Sequence, residues 1–384
     1  MPANLRTWIE IDKKAYLHNL SFIQQNFKGP IISSVIKGNA YGHGIEQIVP
    51  LAQDGGINHF SVFSLDEACR AYSVKNESST LMIMGFIPND SYEWVINHGI
   101  NFFIYNASSL QQAVKAAKKV KKKAIIHLEI ETGMNRTGLD EDYLDKSLRI
   151  ISDNKNHIEL KGVCTHFAGA ESIANHVRIK RQIINFNRNL NHIKKKGFKP
   201  ELIHMASSAA TIVYPRTRKD LVRTGILQYG FWPSFETRIA WMQKYKHTID
   251  PLRRVLSWKS SVMHVKTVEA GEFISYGTGY FAHEKKKIAV IPVGYSDGYN
   301  RSLSNNGRVL IHGKVAPVIG LINMNMLIAD ITTIKNVKAG DEVVLIGKQK
   351  NNTIQVSSFS EFTQQVNYEL LTRLPEATPR IIKN

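Results

Sequence analysis

An apolar, β-branched run (Ile31, Ile32, Val35, Ile36) ends at Lys37, and Gly38, Asn39, Ala40, Tyr41, Gly42, His43 and Gly44 follow. The run reads as a buried parallel strand and the glycines as a sharp turn. Ile45, Ile48, Val49 and Ala52 then give the apolar stripe of a helix. Lys37 therefore stands at the carboxyl end of a strand. Desolvation there disfavours its cation and lowers its pKa. A neutral amine so placed is suited to forming a Schiff base with a carbonyl. The plainer alternative is a solvated lysine in a glycine-rich loop.

Arg136, His166, Ser208 and Arg223 also end or follow strand patterns. Those patterns lie at 31–37, 58–64, 80–86, 101–105, 123–131, 160–166, 201–206 and 221–229. Helical patterns such as SLDEACRAYSV, SLQQAVKAAKKV and ANHVRIKRQIINFNRNLNHIKKKG separate most of them. The alternation predicts an α/β fold, an N-terminal (β/α)8 TIM-type barrel over residues 10–245, with its chemistry at the carboxyl ends of the strands. From about residue 250 short alternating strands follow one another: SSVMHVKTV, AGEFISYG, KKIAVIPVGY, RVLIHGKVAPVIG, MLIADI and DEVVLIG. They predict a C-terminal, mainly antiparallel β domain over 246–384, joined by the N-terminal strand 1–9, with a linker near 240–250.

A chain of 384 residues exceeds the size at which single cores divide, so two domains are expected. The 50 Lys and Arg outnumber 32 Asp and Glu, giving a net charge of +18. The densest basic run, Lys118 to Lys123, closes a helical pattern, where cations suit the helix C-terminus. With no nucleic-acid motif beside it, it reads as a solvated face, and no nucleic-acid partner is expected. No apolar run is long enough to span a membrane and the N-terminus lacks a secretory h-region, so a cytoplasmic location is expected. Cys69 and Cys164 sit far apart in apolar patterns and read as reduced thiols, not as a disulfide or metal site.

VIKGNAYGHG resembles the pyridoxal-phosphate lysine motif of the alanine racemase family. ETGMNRTG (131–138), THFAG around His166, VRTGILQYG around Arg223 and GEFISYGTGY around Tyr276 resemble further family motifs, in the family's order. The resemblance covers nearly the whole chain, from TWIEID to LLTRLPEATPR. It implies pyridoxal 5'-phosphate as cofactor, no metal, and interconversion of L- and D-alanine, which would supply D-alanine for peptidoglycan. Inverting a carbon centre needs an acid/base group on each face of the planar intermediate. The resemblance makes these Lys37 and Tyr276, the tyrosine reaching the cofactor of the other subunit in a head-to-tail homodimer. It implies that Arg223 donates to the pyridine nitrogen and that His166 and Arg223 link to the tyrosine. It assigns the phosphate to Ser208, to the amides of Gly225 and Ile226, and to Tyr41 and Tyr368. Arg136 is implied to contact the ring hydroxyl and, with the Met324 N–H, the substrate carboxylate. Tyr295 and Arg301, in VGYSDGYNR, match the entrance segment.

Four positions depart from the common family wording. Glu129 stands where many members have a lysine that becomes carbamylated, and is expected to supply a fixed carboxylate to Arg136. Thr224 replaces a proline, Ser207 an asparagine, and Leu321 an entrance arginine. The last change leaves a broader-specificity amino-acid racemase as an alternative. A decarboxylase on the same two-domain architecture is a second alternative, but it uses a late cysteine segment, and no cysteine follows Cys164. A basic nucleic-acid-binding protein is the remote third.

Overall fold

The computed structural model describes residues 5–359 and 367–384. The chain divides into two compact units. Ala15–Lys37 and Ile48–Arg253 form one; Met1–Lys14, Gly38–Gln47 and Arg254–Asn384 form the other.

The chain opens with β1 (Thr7–Asp12) of the second unit. The first unit is then built on eight strands: β2 (Ile31–Val35), β3 (His59–Val62), β4 (Thr80–Ile83), β5 (Asn101–Ile104), β6 (Ala124–Glu129), β7 (Ile158–Cys164), β8 (Leu202–His204) and β9 (Leu221–Thr224). All pair in parallel, in the order β8-β7-β6-β5-β4-β3-β2-β9. Between β8 and β9 the ring is closed by single bonds, Asp220 N–H to Ile203 O and Arg223 N–H to Ala206 O, both 3.0 Å. Strands β3, β5 and β9 are buried at every residue, as a parallel strand covered on both faces must be. Amphipathic helices alternate with the strands. That at Ala107–Val120 buries Leu110, Ala113, Ala116 and Ala117, and Asn106 caps it by accepting from the Ser109 N–H. This is the (β/α)8 barrel expected. Seven of the eight strands are shorter than their sequence patterns, and the pattern at 160–166 lies two residues earlier, at Ile158–Cys164. The first stops at Val35, and the last stops at Thr224, where Gly225 turns the chain into a 3-10 helix, Ile226–Tyr229. Residues 240–245, read as linker, lie in the helix Phe235–Tyr245.

The second unit is mainly antiparallel, as expected. Its strands are β10 (Leu256–Ser261), β11 (His264–Val268), β12 (Lys286–Ile291), β13 (Arg308–Ile311), β14 (Lys314–Pro317), β15 (Leu327–Asp330), β16 (Glu342–Gln349), β17 (Asn352–Ile354) and β18 (Arg380–Lys383). The larger sheet runs β14-β13-β16-β10-β1-β18, and β11-β12-β15 form a smaller one. Among its described residues only β1 and β18 pair in parallel. β10 alternates buried and half-buried residues, the signature of a strand with one covered face. Lys259 on β10 is held between Glu10 (2.9 Å) and Glu342 (3.0 Å), tying three adjacent strands. The segment AGEFISYG forms no strand, only a bridge between Phe273 and Phe281. The N-terminal strand expected over 1–9 starts at Thr7 and runs on to Asp12; residues 1–4 lie outside the described residues. Among the described residues no helix is long and apolar enough to cross a membrane.

Candidate active site

The Ile36 N–H still bonds Ser61 O at 2.9 Å, so β2 delivers Lys37 to the carboxyl rim of the barrel. Beyond it Gly38, Asn39, Ala40 and Tyr41 are all left-handed, with φ of 61°, 52°, 52° and 52°. Each non-glycine residue there costs roughly 1–2 kcal/mol. Such a turn persists only where its surroundings over-determine it. Gly42 N–H bonds Gly38 O and Gly44 N–H bonds Asn39 O, both at 2.9 Å. The buried His43 places Nδ1 2.9 Å from Tyr41 O and 3.1 Å from Ala40 O. Asn39 Oδ1 accepts from the Ile45 N–H, starting the helix Ile45–Asp54. A Cβ at Gly42 would lie 2.0 Å from Leu371 O, so glycine is required there.

Within the barrel unit the charged candidates act on one another. Lys37 keeps an exposed face, yet burial lowers its pKa, with Arg136 and then Arg223 adding and Glu67 opposing. The shift favours the neutral amine. Burial pushes His166 down to about 3, helped by the cations Arg223, Arg136 and Lys37. Glu129 is 5% exposed. Burial raises its pKa, against lowering by a hydrogen bond to Thr137 and by Arg223 and Arg136. Lys37, Glu129, Arg136, His166 and Arg223 therefore form one electrostatic cluster at the carboxyl ends of β2, β6, β7 and β9.

Arg223 is buried, donating to Thr165 O (2.8 Å), to His204 O (3.3 Å) and to His204 Nδ1. Ser208, buried at the start of the helix Ser208–Val213, accepts from the Gly225 N–H at 2.9 Å. That bond brings together Ser208, Gly225 and, next in sequence, Ile226. The loop carrying Arg136 is folded around Glu131, whose carboxylate accepts from the N–H groups of Gly133, Met134 (2.8 Å) and Asn135 (2.9 Å).

Sequence reasoning missed Gln182. Its amide joins the loops after β6 and β7, donating to His166 O (3.0 Å) and Thr132 Oγ1 (3.2 Å) and accepting from the Ala168 N–H (2.9 Å). The available signal was a glutamine in register with the buried Ile179, Phe186 and Ile193 of its helix.

In the second unit the Tyr41 and Tyr368 rings meet edge to face, 6.4 Å apart. Tyr276 is 70% exposed on a loop between Ser275 and Gly277, both of positive φ. Ser275 anchors that loop by donating to Leu321 O at 2.7 Å. Tyr295 and Met324 are stitched together: Tyr295 N–H bonds Asn323 O (3.1 Å), while Ser296 N–H bonds Met324 O (3.0 Å). A Cβ on Gly294 would meet both carbonyls within 2.3 Å, so only glycine permits this approach. Arg301 opens a 3-10 turn capped by Asn300.

Residues 11–233 match the family model for the N-terminal domain of alanine racemase, and residues 255–382 that for its C-terminal domain. The chain is 34% identical over 378 residues to an alanine racemase of Leptospira interrogans, covering 98% of this chain and 95% of that one. A crystal structure of alanine racemase from D-cycloserine-producing Streptomyces lavendulae superposes with a TM-score of 0.90 at 28% identity, covering 100% of this chain and 98% of that one. One from Bartonella henselae, described with covalently bound pyridoxal phosphate, gives a TM-score of 0.83 at 26% identity, covering 99% and 100%.

Proposed function

The chain belongs to the alanine racemase family, and from that membership we propose that it interconverts L- and D-alanine using pyridoxal 5'-phosphate held by Lys37. The observation that carries the reading is Lys37 itself, a strand-end amine of lowered pKa grouped with Arg136 and Arg223. The donor set suits the cofactor. The Ser208 hydroxyl and the Ile226 amide offer small donors for a phosphate. The Gly225 N–H, which donates to Ser208 Oγ, is proposed to join them, and Arg223 offers a guanidinium for the ring nitrogen. Tyr41 and Tyr368 are proposed to add hydroxyls to the phosphate, and Arg136 to meet the ring hydroxyl. When bound, the cofactor supplies a sink for the electron pair left as the Cα proton departs.

The protein's own part is to place proton carriers. Lys37 Nζ takes or returns the Cα proton on one face. On the opposite face a single group cannot be the same one, and Tyr276 Oη of a second copy is proposed to fill that role. Its exposure in the single chain supports this assignment. Arg223 has only donors, so it keeps its acceptor partner unprotonated. This restrains charge flow into the ring and side reactions such as transamination. His166, held neutral by burial and its cationic neighbours, keeps a lone pair with which to accept from the tyrosine or Arg223. Arg136 and the Met324 N–H are proposed to hold the substrate carboxylate, and Tyr295 and Arg301 to line the entrance.

The deciding experiment is an absorbance spectrum of the purified protein followed by a D-alanine assay. Lys37→Ala is expected to remove the visible cofactor band and all measurable racemisation. A colourless, inactive wild-type chain supplied with the cofactor would sink the reading. Leu321 favours one variant of it, a wider substrate range, because the usual entrance cation is gone. Comparing rates for alanine, serine and lysine tests this, and equal efficiencies would displace the alanine assignment.

A further inference from the structure

Branched apolar side chains ordinarily fill a (β/α)8 barrel. This barrel instead buries His59, His127, His204 and Arg223, each 5% exposed or less. Such groups are costly inside unless their hydrogen bonds are made. Followed outward from Arg223, the bonds dictate where protons sit. A guanidinium has donors only. It meets His204 at Nδ1, so that nitrogen accepts and His204 carries its proton on Nε2. His204 Nε2 lies 2.9 Å from His127 Nδ1. That nitrogen must also accept, which makes His127 an Nε2–H tautomer, and the series ends there, on a buried N–H with no hydrogen-bond partner among the described residues. One cation thus sets two imidazoles in series. Burial and Arg223 keep both neutral, His127 down to about 3 and His204 well below its ordinary value.

The space for His127 is reserved. Its partner across β6 and β7 is Gly162, where a Cβ would lie 2.1 Å from His127 Nδ1. The ladder also slips between Ile126 and His127, an irregularity of the kind that re-aims a side chain. His59 stands outside the series, with Nδ1 on Ser33 Oγ at 2.9 Å.

We propose that His127 is a positioning residue for Arg223, holding the His204 imidazole in the one tautomer and orientation that can accept from the guanidinium. Its catalytic meaning rests on the function proposed above, where Arg223 serves the cofactor's ring nitrogen; its geometry does not.

Nitrogen-15 NMR of histidine-labelled, cofactor-free full chain reads the tautomers directly. Both His127 and His204 are expected as neutral Nε2–H forms at pH 7; an Nδ1–H form or an imidazolium at either overturns the series. His127→Asn keeps an acceptor near the Nδ1 position, and His127→Leu has a similar shape without one. Asn is expected to hold the pyridoxal-phosphate Kd within about threefold and Leu to weaken it about tenfold, because the His204 N–H is left unsatisfied. The Arg223 guanidinium resonances should shift in the Leu variant alone. Identical resonances and affinities in the two variants overturn the proposal. A wild-type chain that never takes up the cofactor defeats the proposed function instead, and the tautomers and Arg223 resonances then decide the positioning role. If the Leu variant does not fold, the wild-type tautomers decide it.

Discussion

Lys37 feels two cations, Arg136 and Arg223, and one carboxylate, Glu67, in addition to its burial. Tyr276, proposed for the other face, is 70% exposed in the single chain, so a loss at each should look different. Tyr276→Phe should leave the bound cofactor's absorbance intact while racemisation falls by about 10² or more, the scale of a lost general acid/base. The fall should differ between the L-to-D and D-to-L directions, because only one face is disabled. Initial rates in both directions check this, and equal small losses would remove Tyr276 from the chemistry. Glu129 is the second residue to test. It is buried with Arg136 and Arg223 acting on it. Glu129→Gln should weaken cofactor affinity and turnover together by roughly tenfold, the worth of a charge-assisted contact. Unchanged values in both would show that Arg136 needs no carboxylate.

The element that matters most is the turn after β2. Its glycines were legible in the sequence as a sharp turn before a helix. The left-handed path of Asn39, Ala40 and Tyr41 was not, because local preference runs against it and only bonds closed within the fold hold it. Gly42→Ala tests how tightly it is held. With φ of +80° and Leu371 O in the way, it should lower the melting temperature by several degrees and release cofactor. Gly29→Ala, at φ +106° with open space around it, is the control for backbone strain alone. Comparable losses in both would show that the turn is not specially constrained. The barrel strands were legible because strands covered on both faces read as apolar runs. The 3-10 turn at Ile226–Tyr229 was hidden because ILQY prolongs such a run, and periodicity cannot separate the two. Gln182, His127 and His204 escaped notice for another reason: a polar residue inside an apolar pattern declares its role only when its spatial partner is known.

At the scale of the whole molecule, the proposal that Tyr276 serves a second copy makes a countable prediction. Lys37→Ala and Tyr276→Phe chains, each inactive alone, should regain activity when unfolded together and refolded. Random pairing makes about half the dimers hybrid, each with one site free of both changes, so about a quarter of wild-type activity should return. No recovery, with hybrid dimers verified by mass, would place both groups in one chain. Tyr276, at 70% exposed, and Met324, at 56% exposed, are both open in the single chain, as the proposal requires.

The strand order of the second unit also bears on how the protein is made. β1 sits between β10 and β18, with Ile11 opposite Leu256 and Ile9 opposite Arg380. During synthesis at about 5–20 residues per second, β1 leaves the ribosome tens of seconds before either neighbour exists. For that interval an apolar strand with both edges open must be kept from pairing with other nascent chains, and the barrel has to fold in its presence.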